Sequence, residues 1–245
     1  MHLYFVRHGQ SENNLLYAQT GGSEGRVADP ALTAKGHEQA ALVARFLART
    51  GGAESWGEGD SQNVNDVKVT HCYTSLMERA VATGHTIAEA LDLPLLGWID
   101  LHETGGMFQD DKATGMRVPQ PGRSRSYLQA TYPRIVLPEG ASEDGWWNRP
   151  FELHEARTPR AQRVLVELLE RHGDTDDGVI LVSHGGFFNH FMRVVLSLPD
   201  TESVWFAARN TSVTHLRLQE DDQDGNRVLL LYLNRVDFLP GDLLS

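Results

Sequence analysis

The chain has 245 residues, which is enough for one large domain or two small ones. Apolar residues make up 40% of it and charged residues 22%, so the composition is that of a folded globular protein and excludes a disordered chain. The formal net charge of −11 makes the chain a poor general binder of nucleic acid or of anionic membranes. Any anion-binding site would have to be local, built from a few clustered arginines and histidines.

Cysteine usage and apolar runs indicate the cellular setting. Cys72 is the single cysteine, so the chain cannot form an internal disulfide, and a cysteine-based metal site is not expected. The apolar run at the N-terminus covers only a few residues, which is too short for a signal peptide or a membrane span. We therefore expect a cytoplasmic protein that has no membrane partner.

The first half of the chain alternates short apolar runs with segments of helical periodicity. Thr33 is the expected N-cap of a helix that continues to residue 47. The Gly, Ser, Asp and Asn content of residues 51–66 predicts a loop. The remaining elements predicted here are a strand over 3–6, a strand over 67–73, a helix over 76–91 and a short strand over 94–98.

The second half begins with a segment, residues 105–150, that is rich in glycine and proline. We expect it to be a long cap-like excursion with short helices and not a separate domain, so that residues 1–245 form a single domain. Beyond it the pattern becomes regular again. The elements predicted there are a helix over 158–172, a strand over 178–183, a helix over 187–198 and two strands over 212–218 and 227–233.

Strands that alternate with helices predict an α/β fold, a three-layer α/β/α sandwich with a mostly parallel central sheet. The final hairpin is expected to place one strand antiparallel. Ligands of such sheets bind beyond the carboxyl ends of the strands. Two predicted strands end in the same way there, one at His8-Gly9 and the other at His184-Gly185. This repeated ending predicts the location of a functional site.

The tripeptide Arg7-His8-Gly9 has the groups that phosphoryl chemistry needs. A neutral imidazole is a nucleophile near physiological pH. The guanidinium of Arg7 presents a planar set of donors that suits phosphate oxygens. Gly9 lets another group approach the backbone closely. Alone, this tripeptide is a weak signal, because a single histidine is usually structural.

Four sequence blocks give the tripeptide its context. Together they resemble branch 1 of the histidine phosphatase superfamily, the phosphoglycerate mutase-like family, in order and in spacing. The resemblance runs from the N-terminus to about Gly185. The blocks are Arg7-His8-Gly9-Gln10-Ser11 with Asn14, Leu32-Thr33-x-x-Gly36-x-x-Gln39-Ala40, Thr74-Ser75-Leu76-Met77-Glu78-Arg79-Ala80-x-x-Thr83, and Ser183-His184-Gly185.

The resemblance implies a role for each matching residue. His8 would attack phosphorus and become phosphohistidine, while Arg7, Arg79 and His184 would hold the phosphoryl oxygens. Asn14 would donate a further hydrogen bond. Ser11 would either contact phosphate or cap the following helix. The backbone N–H groups of Gly185 and Gly186, at the start of a helix, would face the anion. Glu103 would be the general acid that protonates the leaving group and then the general base for water.

Other notable side chains receive simpler interpretations. Glu78 and Glu89 are expected to be solvated, as are Arg123 and Arg125. The pair Trp146-Trp147 is expected to pack in the core. The remaining histidines of note are expected to be structural or exposed: His71, His85, His102, His154 and His190.

The family contains both phosphatases and mutases. Its mutases carry an arginine and a tyrosine shortly after the acidic glutamate, whereas Glu103 is followed here by Thr104-Gly105-Gly106. We therefore expect metal-independent hydrolysis of a small phosphorylated substrate, without a cofactor and with inorganic phosphate as a ligand. A cofactor-dependent phosphoglycerate mutase and a non-catalytic phosphate-binding protein remain the alternatives. Nucleic acid is not an expected partner, and the oligomeric state stays open.

Overall fold

The computed structural model describes residues 1–48, 69–199, 204–219 and 228–245. The predicted loop over 51–66 lies outside the described residues. The same holds for residues 67–68 of the predicted strand 67–73 and for residue 227 of the predicted strand 227–233.

Within the described residues, seven strands form the central sheet and two form a separate hairpin. In chain order the strands are β1 His2–Arg7, β2 Val69–Thr74, β3 Leu95–Gly97, β4 Phe108–Asp110, β5 Arg117–Pro119, β6 Ile135–Val136, β7 Gly178–Ser183, β8 Val213–Leu218 and β9 Val228–Arg235. The order across the central sheet is β6-β3-β2-β7-β1-β8-β9, while β4 and β5 pair with each other.

The first five strands across the sheet run parallel to one another. Strand β8 is antiparallel to both β1 and β9, as expected for the final hairpin. Strands β1 and β7 are direct neighbours, with Arg7 opposite Ser183. His8 and His184 therefore leave the sheet side by side at its carboxyl edge.

Helices cover both faces of the sheet. In chain order they are α1 Glu12–Thr20, α2 Ala34–Ala48, α3 Glu78–Leu91, α4 Arg125–Thr131, α5 His154–His172 and α6 Gly185–Val195. Alternate residues of β1 point to opposite layers: Tyr4 and Val6 pack in the cluster that contains α2 and α3, whereas Leu3 and Phe5 pack with α5 and α6. The predicted three-layer α/β fold with a mostly parallel sheet is confirmed.

Several helix boundaries differ from the sequence prediction. Helix α5 begins at His154, about one turn before the predicted start, and therefore contains Pro159 in its interior. Helix α6 begins at Gly185, two residues before the predicted start, and its first N–H groups are accepted by the carboxylate of Glu103. Helix α1 was expected only as the helix that Ser11 would cap. Its bounds were not predicted, since none of its residues is buried and it has no apolar face to recognise.

Residues 105–150 contain more strand than expected. Besides the short helix α4, they form the β4–β5 hairpin and strand β6, which pairs with β3 and extends the central sheet. The prediction of short helices alone was therefore incomplete, because two-residue strands such as β6 are defined only by their partners. Trp146 and Trp147 are buried in the core cluster, which confirms their predicted packing.

No helix within the described residues is both long enough and apolar enough to cross a lipid bilayer.

Candidate active site

His8 is fixed in one protonation state by its surroundings. Its Nδ1 lies 2.7 Å from the carbonyl oxygen of Gly9, and because a carbonyl only accepts, the ring proton is on Nδ1. Nε2 is left with a lone pair and accepts a hydrogen bond from Nε of Arg79 at 3.2 Å. Burial, followed by the charges of Arg79 and Arg7, holds the pKa of His8 well below its usual 6.5. His8 is thus neutral, as a nucleophile must be.

The buried Arg79 and the half-buried Arg7 bring two positive charges to this imidazole. Arg79 stands near the start of α3, and its Nη2 donates to Sδ of Met77 at 3.3 Å. Arg7 ends β1, and its Nη1 donates to the carbonyl oxygen of Ala208 at 2.5 Å. One nitrogen of each guanidinium, Nη1 of Arg79 and Nε of Arg7, is buried without a hydrogen-bond partner among the described residues.

His184 forms the opposite wall of the site. Its ring centroid lies 5.1 Å from that of His8. Its Nε2 makes a 2.9 Å hydrogen bond with Oγ of Ser75, which comes from the loop between β2 and α3. Nδ1 of His184 is buried and finds no partner within the described residues. Burial keeps the pKa of His184 well below 6.5.

The site therefore has three buried nitrogens without a protein acceptor: Nε of Arg7, Nη1 of Arg79 and Nδ1 of His184. Buried polar groups in folded proteins are almost always satisfied, so three unpaired nitrogens from neighbouring side chains, two of them cationic, suit an anionic ligand. Two of these groups belong to arginine cations that lower the pKa of His8, and the third belongs to His184, whose ring centroid lies 5.1 Å from that of His8. The arrangement can hold a compact anion with several oxygens.

Glu103 lies at the N-terminus of α6. Its carboxylate accepts backbone N–H groups from Thr104 at 2.7 Å, Gly186 at 3.1 Å and Phe187 at 3.0 Å. The N–H of Gly186 was expected to face the anion, but in the structure it donates to the carboxylate of Glu103. Helix N-termini favour negative charge, which explains why the carboxylate occupies this position. Gly185 lies beside Arg7, whose Nε would be 3.5 Å from a Cβ at residue 185.

Ser11 and Asn14 form a capping box at the start of α1. Oγ of Ser11 accepts from the backbone N–H of Asn14 at 3.3 Å and donates to Oδ1 of Asn14 at 3.0 Å. Oδ1 of Asn14 also accepts from Nδ2 of Asn210 at 3.2 Å. The structure thus shows the helix-capping role of Ser11, while phosphate contacts of Ser11 and Asn14 stay predictions.

Asp29 is a residue of the site that the sequence analysis did not identify. Its Oδ1 accepts the N–H of Glu78 at 2.9 Å and lies 4.0 Å from Nη1 of Arg79. Its Oδ2 is buried and has no partner among the described residues. Burial raises the pKa of Asp29 from 3.8 to about 6, against the opposing effect of Arg79. In the sequence, the feature that could have pointed to Asp29 is its position three residues before the Leu32-Thr33 block.

Glu78 is buried, so its expected solvation was wrong. Its Oε1 accepts from the hydroxyls of Tyr132 at 2.5 Å and Tyr127 at 3.2 Å, and its Oε2 accepts from Nε of Arg123 at 3.1 Å. These partners all come from residues 105–150, which fold back over the start of α3. Glu89 is exposed, as expected.

The two arginines of the excursion also differ from the expectation of solvated side chains. Arg123 is 42% exposed but is paired with Glu78. Arg125 donates to the carbonyl oxygens of Ala141 and Pro138, both at 2.8 Å. Arg125 holds the excursion together because its irregular backbone leaves carbonyls that need donors, whereas Arg123 joins the excursion to the start of α3 through Glu78.

A family model and several characterised proteins match the sequence of this chain. The sequence model of the histidine phosphatase superfamily (branch 1) matches residues 3–56 and 60–230. The 2,3-bisphosphoglycerate-dependent phosphoglycerate mutase of Bartonella tribocorum is 35% identical over 193 residues, which cover 75% of this chain and 81% of that protein. The 2,3-bisphosphoglycerate-dependent phosphoglycerate mutase 1 of Latilactobacillus sakei is 32% identical over 142 residues, 55% of this chain and 52% of that protein. This alignment spans about half the length of that relative.

A solved structure matches over nearly the whole length. The phosphoserine phosphatase of Entamoeba histolytica, crystallised with 3-phosphoglyceric acid, superposes with a TM-score of 0.58. The match covers 98% of this chain and 99% of that chain at 20% sequence identity. At this identity the likeness concerns the fold.

Proposed function

Because the chain belongs to branch 1 of the histidine phosphatase superfamily, we propose that it is a phosphomonoesterase that acts through phosphohistidine at His8. The observation that carries the proposal is the set of three unpaired buried nitrogens, on Arg7, Arg79 and His184, around His8. Phosphoryl transfer depends on in-line positioning and on donors aimed at the oxygens around phosphorus. Arg7, Arg79 and His184 would supply those donors.

The first half of the reaction forms the phosphoenzyme. The lone pair on Nε2 of His8 forms a bond to phosphorus while the bond from phosphorus to the ester oxygen breaks. Nε of Arg79, which donates to Nε2 of His8 in the free site, would turn to a phosphoryl oxygen. Glu103 would donate a proton to the departing oxygen, so that an alcohol leaves.

The second half releases phosphate. Water attacks phosphorus, the N–P bond breaks, and the electron pair returns to Nε2 of His8. The carboxylate of Glu103, now deprotonated, takes the proton of the water. The arginines and His184 would neutralise charge in both halves, so the proposed reaction uses neither a metal ion nor an organic cofactor.

Hydrolysis is favoured over mutase activity by the segment that follows Glu103. Gly105 and Gly106 have positive φ angles of 88° and 75°, and a Cβ at Gly106 would lie 2.0 Å from the ring of Trp147. No side chain can therefore project from these positions to hold a second phosphate. The mutase alternative rests on the names of the sequence relatives.

The experiment measures hydrolysis of p-nitrophenyl phosphate in EDTA by wild type, His8→Ala and His37→Ala. His37 is exposed on α2 and serves as the matched histidine control. We expect turnover in EDTA by wild type and by His37→Ala, and a loss of more than about a thousandfold in His8→Ala. Acid-labile phosphate on wild type but not on His8→Ala would support the intermediate.

Other results would select the alternatives. Rapid interconversion of 3- and 2-phosphoglycerate that depends on 2,3-bisphosphoglycerate would replace the hydrolase with a mutase. Phosphate binding without turnover of any phosphorylated substrate would instead support a non-catalytic member. Equal turnover by His8→Ala and wild type would refute the role of His8.

A further inference from the structure

A second group of chemistry-bearing side chains lies at the edge of the sheet opposite to the active site. His71 lies near the start of β2, His172 is the last residue of α5, and Asp177 directly precedes β7. Since β2 and β7 are parallel neighbours, their amino ends meet at this edge. His8 and His184 follow the carboxyl ends of β1 and β7, so the two groups are separate.

The three side chains converge on one point. One ligand atom from each of His71, His172 and Asp177 lies within 4.8 Å of the other two. Nδ1 of His172 is 2.8 Å from Oδ2 of Asp177, and Nδ1 of His71 is 3.9 Å from Oδ1. Ligand atoms around a tetrahedral zinc ion lie about 3.3 Å apart. The side chain of His71 is 35% exposed, and its Nδ1 makes a 2.8 Å hydrogen bond with Oγ1 of Thr70, which a bound ion would replace.

The neighbouring groups suit metal coordination. Nε2 of His172 makes a 3.0 Å hydrogen bond with the hydroxyl of Tyr73, which fixes the ring with Nδ1 toward Asp177. Because the carboxylate of Asp177 accepts, Nδ1 of His172 carries the ring proton in the metal-free site, and binding of a metal would release that proton. A neutral imidazole and an ionised carboxylate are the forms that bind metal.

We propose that His71, His172 and Asp177 bind a divalent transition metal of the zinc type, with water completing the coordination. Two imidazoles and one carboxylate suit zinc, nickel or copper better than magnesium or calcium, which prefer oxygen ligands. The ion would join β2, the end of α5 and the loop before β7. It would stabilise the fold and would take no part in chemistry at His8, so this site is independent of the proposed phosphatase activity.

The test is titration of the metal-free full-length protein with zinc chloride by isothermal calorimetry at pH 7.5. We expect saturable binding of one zinc ion per chain to wild type. His71→Ala and Asp177→Asn should each weaken binding by at least about tenfold, because each removes a ligand. The asparagine keeps an acceptor for His172. His37→Ala, which removes an exposed histidine elsewhere, should bind as wild type does.

Thermal melting with and without zinc gives the second measurement. Zinc should raise the Tm of wild type and of His37→Ala but not that of His71→Ala, since only a bound ion stabilises the native state. Circular dichroism would show that each variant is folded. The absence of saturable binding to wild type would overturn the proposal. Equal zinc affinity in wild type and His71→Ala would overturn it as well.

Discussion

The substitution Asp29→Asn should increase the free energy of unfolding at neutral pH, because it removes a buried negative charge. Burial raises the pKa of Asp29 from 3.8 to about 6, and each pKa unit corresponds to about 1.4 kcal/mol. The ionised carboxylate therefore costs the folded state about 3 kcal/mol at neutral pH. The asparagine avoids this cost and keeps an Oδ1 that can accept the N–H of Glu78.

The stability difference between Asp29→Asn and wild type should depend on pH. Because the folded-state pKa lies above the unfolded value, the contribution of Asp29 to stability is present below about pH 3.8 and is lost as the pH rises through about 6. Asp29→Asn should thus differ little from wild type at pH 4. By pH 7 it should be more stable by up to about 3 kcal/mol.

Urea unfolding at a series of pH values measures this difference directly. Groups other than Asp29 titrate in both proteins and cancel in the comparison. Asp144→Asn, at an exposed position, is the control and should change stability little at any pH. A gap between Asp29→Asn and wild type that stays constant from pH 4 to pH 7 would refute the reasoning. A variant that is less stable throughout would show that the attraction between Asp29 and Arg79 outweighs burial.

Two further predictions concern neighbours of the site. Ser75→Ala removes the hydroxyl that contacts Nε2 of His184, so kcat/KM for p-nitrophenyl phosphate should fall by about tenfold or more. The same buried hydroxyl accepts the N–H of Met77 at 3.3 Å, so stability should fall by about 1–3 kcal/mol as well. Unchanged kcat/KM in the folded variant would show that this contact does not position His184. Gly106→Ala places a Cβ 2.0 Å from the ring of Trp147 at a positive φ, and should cost about 3 kcal/mol or more in urea unfolding. Wild-type stability of this variant would contradict the packing described for Gly106.

The paired histidines were predictable because they depend on short-range patterns and on one rule of topology. An apolar run followed by His-Gly occurs at the ends of both β1 and β7, and the carboxyl ends of parallel strands share an edge. The 5.1 Å separation of the rings of His8 and His184 is the result. Arg79 was identified differently, through the resemblance of the block Thr74–Thr83 to the family, because an arginine at the start of a helix is otherwise typical of a solvated side chain.

The surroundings of Glu78 and Glu103 could not be predicted in that way. Glu78 is buried by Tyr127 and Tyr132, which follow it by about fifty residues and belong to a segment with no regular periodicity. The N–H of Gly186 appeared free for an anion, yet the carboxylate that occupies it comes from Glu103, far away in the sequence. Local patterns identify chemical groups, whereas tertiary packing decides which of these groups remain unpaired.

Glu103 caps helix α6 and is also the proposed general acid, and a substitution can distinguish these two roles. Its carboxylate holds the N-terminus of α6 through Gly186 and Phe187, and it would also protonate the leaving group. Glu103→Gln cannot donate that proton as a carboxylic acid does. An alkyl phosphate needs the proton far more than p-nitrophenyl phosphate, because p-nitrophenolate is a stable anion.

The ratio of kcat/KM for p-nitrophenyl phosphate to kcat/KM for an alkyl phosphate is therefore the informative quantity. It reports the steps up to phosphoenzyme formation, so the role of Glu103 as a base for water does not enter. We expect Glu103→Gln to raise this ratio by about a hundredfold, the lower range for general acid catalysis. Loss of the helix cap alone would misplace the site for both substrates and leave the ratio unchanged. An unchanged ratio would assign Glu103 to the structure of α6, and the proton would have to come from another group.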